Sequence, residues 1–195
     1  MKAVPWNRIL VFGSIATIGC LADLLSKHWM FAKVGLPFGP HAGFVSWLWE
    51  GPFSFGFQTS LNEGALWGFG QGGVHLFAIL SVIAAIGVVG WFFYGKAYQS
   101  LHLTITLAMI LAGILGNLYD RLGLPGLRWP DDPSFGNRAG TAVYAVRDWV
   151  LMVFGDHPWP NYNIADALLV CGAALLVWHA FFLDRPAVDQ KTAGS

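Results

Sequence analysis

The sequence predicts a helical integral membrane protein with four transmembrane helices joined in part by strand-bearing segments outside the membrane. Three observations carry this. The 195-residue chain is 55% hydrophobic with only 11% charged residues, whereas an ordinary soluble domain has roughly 25% charged. Four windows, at about residues 9–31, 74–94, 101–121 and 164–183, are apolar over the ~20 residues a bilayer crossing needs. Between them lie stretches rich in Gly, Pro and aromatic residues, one carrying strand-like alternation. Four spans leave room for one sizeable extramembrane insert but not for a separate soluble domain, so residues 1–195 are expected to form one membrane domain.

The first span, 9–31, is interrupted by Asp23 and Lys27. Lys2 and Arg8 followed by an apolar run to Thr17-Ile18-Gly19-Cys20 loosely match a cleaved lipoprotein signal. The apolar run continues to Phe31, however, which predicts an uncleaved span. Segment 34–73 follows. Its Phe53-Ser54-Phe55-Gly56-Phe57-Gln58-Thr59 alternates apolar with small or polar residues and predicts a strand. Trp47, Trp49 and Phe53 suit an element lying on the membrane surface.

Spans two and three are joined by Gly95-Lys96-Ala97-Tyr98-Gln99-Ser100, too short for anything but a helical hairpin turn. Segments 34–73 and 122–162 therefore share the opposite face of the membrane. In the second, Pro130-Asp131-Asp132-Pro133-Ser134-Phe135-Gly136-Asn137 is turn and loop chemistry. The apolar run 143–154, around Arg147 and Asp148, predicts a short strand or extended chain. The count of Lys and Arg on the two faces does not orient the protein.

Net charge is zero, which gives no reason to expect a nucleic-acid partner. Cys20 and Cys171 fall inside spans and are expected to be buried packing residues, not a disulfide. The six His residues are scattered, with no His-Glu-x-x-His pair or other ligand cluster, so no metal and no cofactor are expected. There is no Gly-x-Ser-x-Gly elbow for a serine nucleophile.

The chemistry concentrates in five short strings. Asp23 and Lys27, four apart, share one helix face and suit an intrahelical ion pair. Asn62 sits in Leu61-Asn62-Glu63-Gly64, which alone reads as a turn. Gly113 and Gly116 allow close helix approach, and Asn117, Asp120 and Arg121 put three polar groups within five residues of a span. Asp120 beside Arg121 suits a helix-end ion pair. Asn163 and Asp166 have the spacing of a helix N-cap. Asp148 has no capping spacing, and its plain alternative is a charge pair with Arg147 or Arg121. Ionisable groups at membrane depth are costly and point to function, and two carboxyls that share a proton can activate water.

Taken in order, these strings resemble lipoprotein signal peptidase, also called signal peptidase II. The matching segments are Asp23-Leu24-Leu25-Ser26-Lys27, Asn62-Glu63-Gly64-Ala65, Gly116-Asn117-Leu118-Tyr119-Asp120-Arg121, Val146-Arg147-Asp148-Trp149 and Asn163-Ile164-Ala165-Asp166. The resemblance implies a bacterial inner-membrane aspartyl endopeptidase. Its substrate would be a prolipoprotein whose lipobox cysteine carries a diacylglyceryl group. It implies Asp148 and Asp166 as the catalytic pair. Asp23, Lys27, Asn62, Gly116, Asn117, Asp120, Arg121, Asn163 and Ala165 would support the site or hold substrate. It further implies a β cradle with an interfacial helix in 34–73, a monomer in contact with membrane lipid, cytoplasmic termini and a site at the extracytoplasmic face. The chain departs from the family pattern where 122–147 fills a gap of roughly ten residues, so it carries an insertion there. A rival reading is a small transporter or proton-coupled channel, since intramembrane carboxylates also mark ion paths. Another is a non-enzymatic assembly protein, which would have no reason to bring two carboxylates together.

Overall fold

The computed structural model describes residues 4–38, 40, 42–64 and 73–183. Its elements are α1 (Trp6–Val34), β1 (Ser46–Trp49), β2 (Phe53–Asn62), α2 (Val74–Phe93), α3 (Leu101–Arg121), β3 (Val146–Phe154), β4 (His157–Pro158) and α4 (Ile164–Trp178). A π-helical turn, His179–Leu183, continues α4. All four helical segments are long and apolar enough to cross a bilayer. They fall where the apolar windows place them, with α1 longer at both ends than expected.

The central helix is α3: 61% of its apolar window is buried, against 6–17% in the other three spans. Its sequence explains this, because Thr104, Ala108, Ala112, Gly113 and Gly116 are small enough to be buried against neighbours. On α2, Leu76, Ile79, Ile83 and Ile86 are exposed, as a lipid-facing surface requires. Cys171 is also exposed and Cys20 is half-buried, both as free thiols. The expectation of two buried cysteines fails because α1, which carries Cys20, and α4, which carries Cys171, both turn most of their apolar length outward.

The α2–α3 hairpin closes as its length demands. Lys96 takes a left-handed conformation at φ 58°, a short 3-10 turn spans Ala97–Gln99, and the Ser100 hydroxyl caps α3 by accepting from the Leu103 amide. Near this end lies the apolar core, with Phe12 stacked on Phe92 at 4.2 Å between ring centroids and packed among Ala16, Leu107, Ala108 and Leu111. Polar residues gather at the other end of the bundle.

At that other end the sheet forms in the order β1-β2-β3-β4, antiparallel throughout. The strand expected at Phe53–Thr59 is β2, and the run 143–154 contains β3. The family resemblance implied a cradle in 34–73. Both extramembrane segments build it instead, since β2 finds its long partner in β3. A two-stranded ribbon by itself is only marginally stable. Trp47, Trp49 and Phe53 are exposed on the sheet. Of the interfacial helix expected in 34–73, no α-helix follows Val34 among the described residues of that segment; residues 39, 41 and 65–72 lie outside them.

The β2–β3 register shifts between Phe57, opposite Val150, and Ser60, opposite Asp148. This bulge leaves Gln58 and Thr59 outside the regular pairing. The Asn161 side chain donates to the Gln58 carbonyl at 2.8 Å, and the Thr59 hydroxyl donates to the Gly35 carbonyl at 2.8 Å, tying β2 to the end of α1. Bulges re-aim side chains, and this one sits beside Asp148.

Candidate active site

The site is assembled where the C-terminal halves of α1 and α3 meet the start of α4 and the first residues of β3. Asp23 and Lys27 form the ion pair their spacing predicts, at 2.7 Å, and both side chains are fully buried. Lys27 also pairs with Asp120 at 3.0 Å and donates to Asn117 Oδ1 at 3.0 Å. Asp120 does not pair with its neighbour Arg121 as the sequence suggested. Consecutive helical residues point in different directions, so Asp120 turns inward while Arg121 packs its guanidinium 5.7 Å from the Phe77 ring centroid.

The second partner of Asp120 is Arg147, a residue the sequence reading did not place in the site. Its Nε donates to Asp120 Oδ1 at 2.9 Å, one terminal nitrogen makes an ion pair with the same oxygen at 2.9 Å, and its backbone amide donates to Asp120 Oδ2 at 3.1 Å. Two carboxylates, Asp23 and Asp120, thus face two cations, Lys27 and Arg147. The charges cancel, as burial of ionised groups requires. The sequence signal was a basic residue inside the apolar run 143–154, but adjacency to Asp148 concealed its true partner. The pairing of Asp148 with Arg147 or Arg121, weighed as its plain alternative, is replaced by a hydrogen bond from Asn163.

α4 begins on a complete capping box. Asn163 Oδ1 accepts from the Asp166 amide at 2.9 Å, and Asp166 Oδ2 accepts from the Asn163 amide at 3.3 Å. Another first-turn amide, that of Ala165, donates to Asp23 Oδ1 at 2.9 Å. A buried carboxylate of α1 thus satisfies an orphan donor at the positive end of α4. Gly116 makes this approach possible: a Cβ there would run into Asp23 Oδ2 and crowd the Ala165 side chain. Ala165 itself is fully buried.

The caps leave the side chains of the two asparagines free to meet two carboxylates. Asn163 Nδ2 donates to Asp148 Oδ1 at 2.6 Å and to Asn117 Oδ1 at 3.2 Å. Asn117 Nδ2 donates to Asp166 Oδ1 at 2.7 Å. Asp148 and Asp166 are therefore linked through one pair of amides. Asn62 ends β2 two residues beyond Ser60, which lies opposite Asp148, and its Oδ1 accepts from the Gly64 amide at 3.0 Å, the turn its sequence predicts. Arg121 lies in the electrostatic field of Asp166, Asp148 and Asp120.

Asp148 is 2% exposed, while Asp166 is half-buried. Burial pushes the Asp148 carboxyl well above the usual carboxylate range, and the neighbouring charge of Asp166 adds to the rise. Lys27 and the bond from Asn163 oppose it without cancelling it. Two carboxyls placed to share one proton are the arrangement general acid–base chemistry needs. Among the described residues, no group of three or more His, Cys, Asp or Glu is placed to hold a metal ion.

Comparison with known proteins agrees with this reading. Residues 15–182 match the signal peptidase (SPase) II family. A lipoprotein signal peptidase of Rhodopirellula baltica is 44% identical over 92% of this chain and 75% of its own length. One from Polynucleobacter necessarius subsp. necessarius is 30% identical over 91% of both chains. A solved structure described as a bacterial membrane enzyme superposes with a TM-score of 0.65 at 24% identity, covering 93% of this chain and 94% of its own, which supports the fold. With the family match covering most of the chain, the order of the five strings has its explanation: this protein belongs to the signal peptidase II family.

Proposed function

We propose that this protein is an aspartyl endopeptidase of the bacterial inner membrane. It removes the signal peptide from prolipoproteins at the lipobox cysteine, once that cysteine carries a diacylglyceryl group. The observation that carries the reading is the linkage of Asp148 and Asp166 through the side-chain amides of Asn163 and Asn117. Asp148, the more deeply buried, holds the shared proton and donates it in a hydrogen bond to the scissile carbonyl. Asp166, ionised, takes a proton from the attacking water. The proton then passes to the leaving amine, and no covalent intermediate is needed.

The surrounding residues hold this pair. Asn117 and Asn163 orient the carboxylates, and Asn62 holds the turn that follows β2. Asp23 and Asp120, with Lys27 and Arg147, form the neutral base beneath the carboxylates, with Gly116 and Ala165 providing the close helix contact. Arg121 faces the pair's negative charge and is placed to accept substrate backbone. The whole chain acts as one membrane domain and as a monomer, its acyl substrate lying in lipid. Both termini are cytoplasmic and the sheet lies at the extracytoplasmic face, where exported substrate arrives. The transport reading gains no support from the family comparison.

The test is cleavage of a diacylglyceryl-modified prolipoprotein by the detergent-purified protein, with the unmodified precursor as control. Release of the signal peptide from the modified form is expected. No release from either form would refute the proposal.

A further inference from the structure

Two cavities open along the seam between α1 and α3. One, of about 390 Å³, is apolar and is lined by Gly13, Thr17 and Leu21 of α1 and by Leu111 and Leu115 of α3. The other, of about 230 Å³, lies nearer the sheet and is mixed in character. Leu24 and His28 of α1 and Tyr119 of α3 line it, together with Pro125 and Arg147. Positions 13, 17, 21, 24 and 28 follow one another at the three- and four-residue steps of a single helix face, as do 111, 115 and 119. The cavities are therefore successive stretches of one furrow. From Gly13 to His28 it runs about 22 Å at 1.5 Å per residue, most of the way through a hydrocarbon core of roughly 30 Å.

This furrow is not where the paired carboxyls lie. Asn117, which holds Asp166, and Arg121 stand two positions on from Leu115 and Tyr119, about 160° round α3. Arg147 and Asp148 are consecutive in β3 and point to opposite sides of the sheet.

The mouth has hydrogen-bonding capacity that the protein does not use. Arg147 gives its Nε and one terminal nitrogen to Asp120. Its other terminal nitrogen has no partner among the described residues, although Arg147 is only 4% exposed. His28 is exposed and likewise bonds nothing among them. The Tyr119 hydroxyl makes one long bond, to the Leu124 carbonyl at 3.4 Å. Donors held away from water are costly unless an acceptor meets them, and a phosphate brings acceptor oxygens and the charge a guanidinium favours. Further along the furrow the side chains leave a trough unfilled: a carbon added at Gly13 meets nothing within 4 Å. A soluble anion would have no use for that trough, whereas a lipid fills both parts.

We infer that the furrow between α1 and α3 binds one membrane phospholipid: Arg147, His28 and Tyr119 hold its phosphate, and one acyl chain lies along Leu115, Thr17 and Gly13. The phosphate distinguishes this ligand from the diacylglyceryl group of the proposed substrate. The site does not depend on the proposed cleavage.

The test takes the full-length protein, stripped of lipid in detergent, and offers it dioleoylphosphatidylglycerol or dioleoylglycerol before native mass spectrometry. One phosphatidylglycerol per chain is expected to be retained, and dioleoylglycerol to be held about tenfold more weakly for want of the charge-assisted contact. Inorganic phosphate in excess is expected not to displace the lipid. His28→Ala and Tyr119→Phe are each expected to weaken retention about fivefold, as loss of one hydrogen bond does. Gly13→Leu fills the trough. It is expected to weaken the dioleoyl lipid and to spare dihexanoylphosphatidylglycerol, whose short chains stop before reaching it. The comparison of the two lipids on the unaltered protein needs no variant, so a misfolded variant does not obscure the outcome. It needs no turnover either, so failure of the proposed activity leaves the site judged. Equal retention of dioleoylglycerol would make the seam a general acyl-chain surface. Displacement by inorganic phosphate would make the ligand a free anion, and unchanged retention in all three variants would put the lipid elsewhere. Any of these, or no retained lipid at all, overturns the inference.

Discussion

Asn163 donates its side-chain amide to Asp148 at 2.6 Å while its carbonyl oxygen caps the amide of Asp166. One residue thus starts α4 and holds the carboxylate of β3 against it. The cap and the site are the same contact, so the geometry of the pair inherits the rigidity of the helix start.

Replacing either carboxyl by its amide keeps shape but removes proton exchange. Asp148→Asn and Asp166→Asn are each expected to lower kcat by about 10²–10⁴-fold or more, with membrane insertion and helix content retained. Steady-state cleavage of the lipid-modified precursor, with circular dichroism on the same samples, checks this. Turnover near wild type in either variant would rule out the paired-carboxyl mechanism.

The raised proton affinity of Asp148 also sets a pH dependence. The folded state holds this proton more tightly than the unfolded chain, so the associated stability is fully present below the ordinary carboxylate range. It declines as pH rises until Asp148 ionises in the folded protein. Asp148→Asn removes that loss and is expected to melt higher than wild type at alkaline pH, with the gap closing in acid. Cleavage should fall on the alkaline side as the shared proton leaves the pair. Thermal melts of the two proteins across pH decide it; parallel curves would contradict a raised Asp148.

Lys27 pairs with two buried carboxylates, Asp23 and Asp120, and with Arg147 balances their charge. Lys27→Met keeps the volume but leaves one negative charge uncompensated beside Arg147. Removing one partner of a buried pair costs about 3–5 kcal/mol. A fall in thermal stability together with lost activity is expected. Full stability with no activity would instead assign Lys27 a direct part in the reaction.

Gly116 has no room for a methyl group between Asp23 and Ala165. Gly116→Ala must push α3 away from α4 or displace the Asp23 carboxylate from the Ala165 amide. Overpacking of this kind costs about 1–3 kcal/mol, and activity should fall with it. Gly87→Ala, where the added carbon meets nothing within 4 Å, is the control and should be near neutral in a melting comparison.

What the sequence determined by itself is local. Apolar runs of bilayer length give the four helices, because hydrocarbon leaves a backbone no partner but itself. Alternation gives β2, and the i, i+4 spacing gives the Asp23–Lys27 pair. Asn163 with Asp166 three residues on gives the capping box. The order of five short polar strings also identified the family, since each is costly inside an apolar chain and marks itself by contrast.

The tertiary structure decided which partners those residues take. Asp120 turned from Arg121 to Lys27 and Arg147, and Asp148 from Arg147 to Asn163, because helix and strand send adjacent side chains in different directions. The join of β2 to β3 across the whole α2–α3 hairpin, and the reach of Arg138 to Glu63, are contacts between residues more than seventy positions apart. No periodicity encodes such pairs. They exist because burying two cations and two carboxylates at one end of the bundle is tolerable only when every charge finds its opposite, and only the packed fold brings those opposites together.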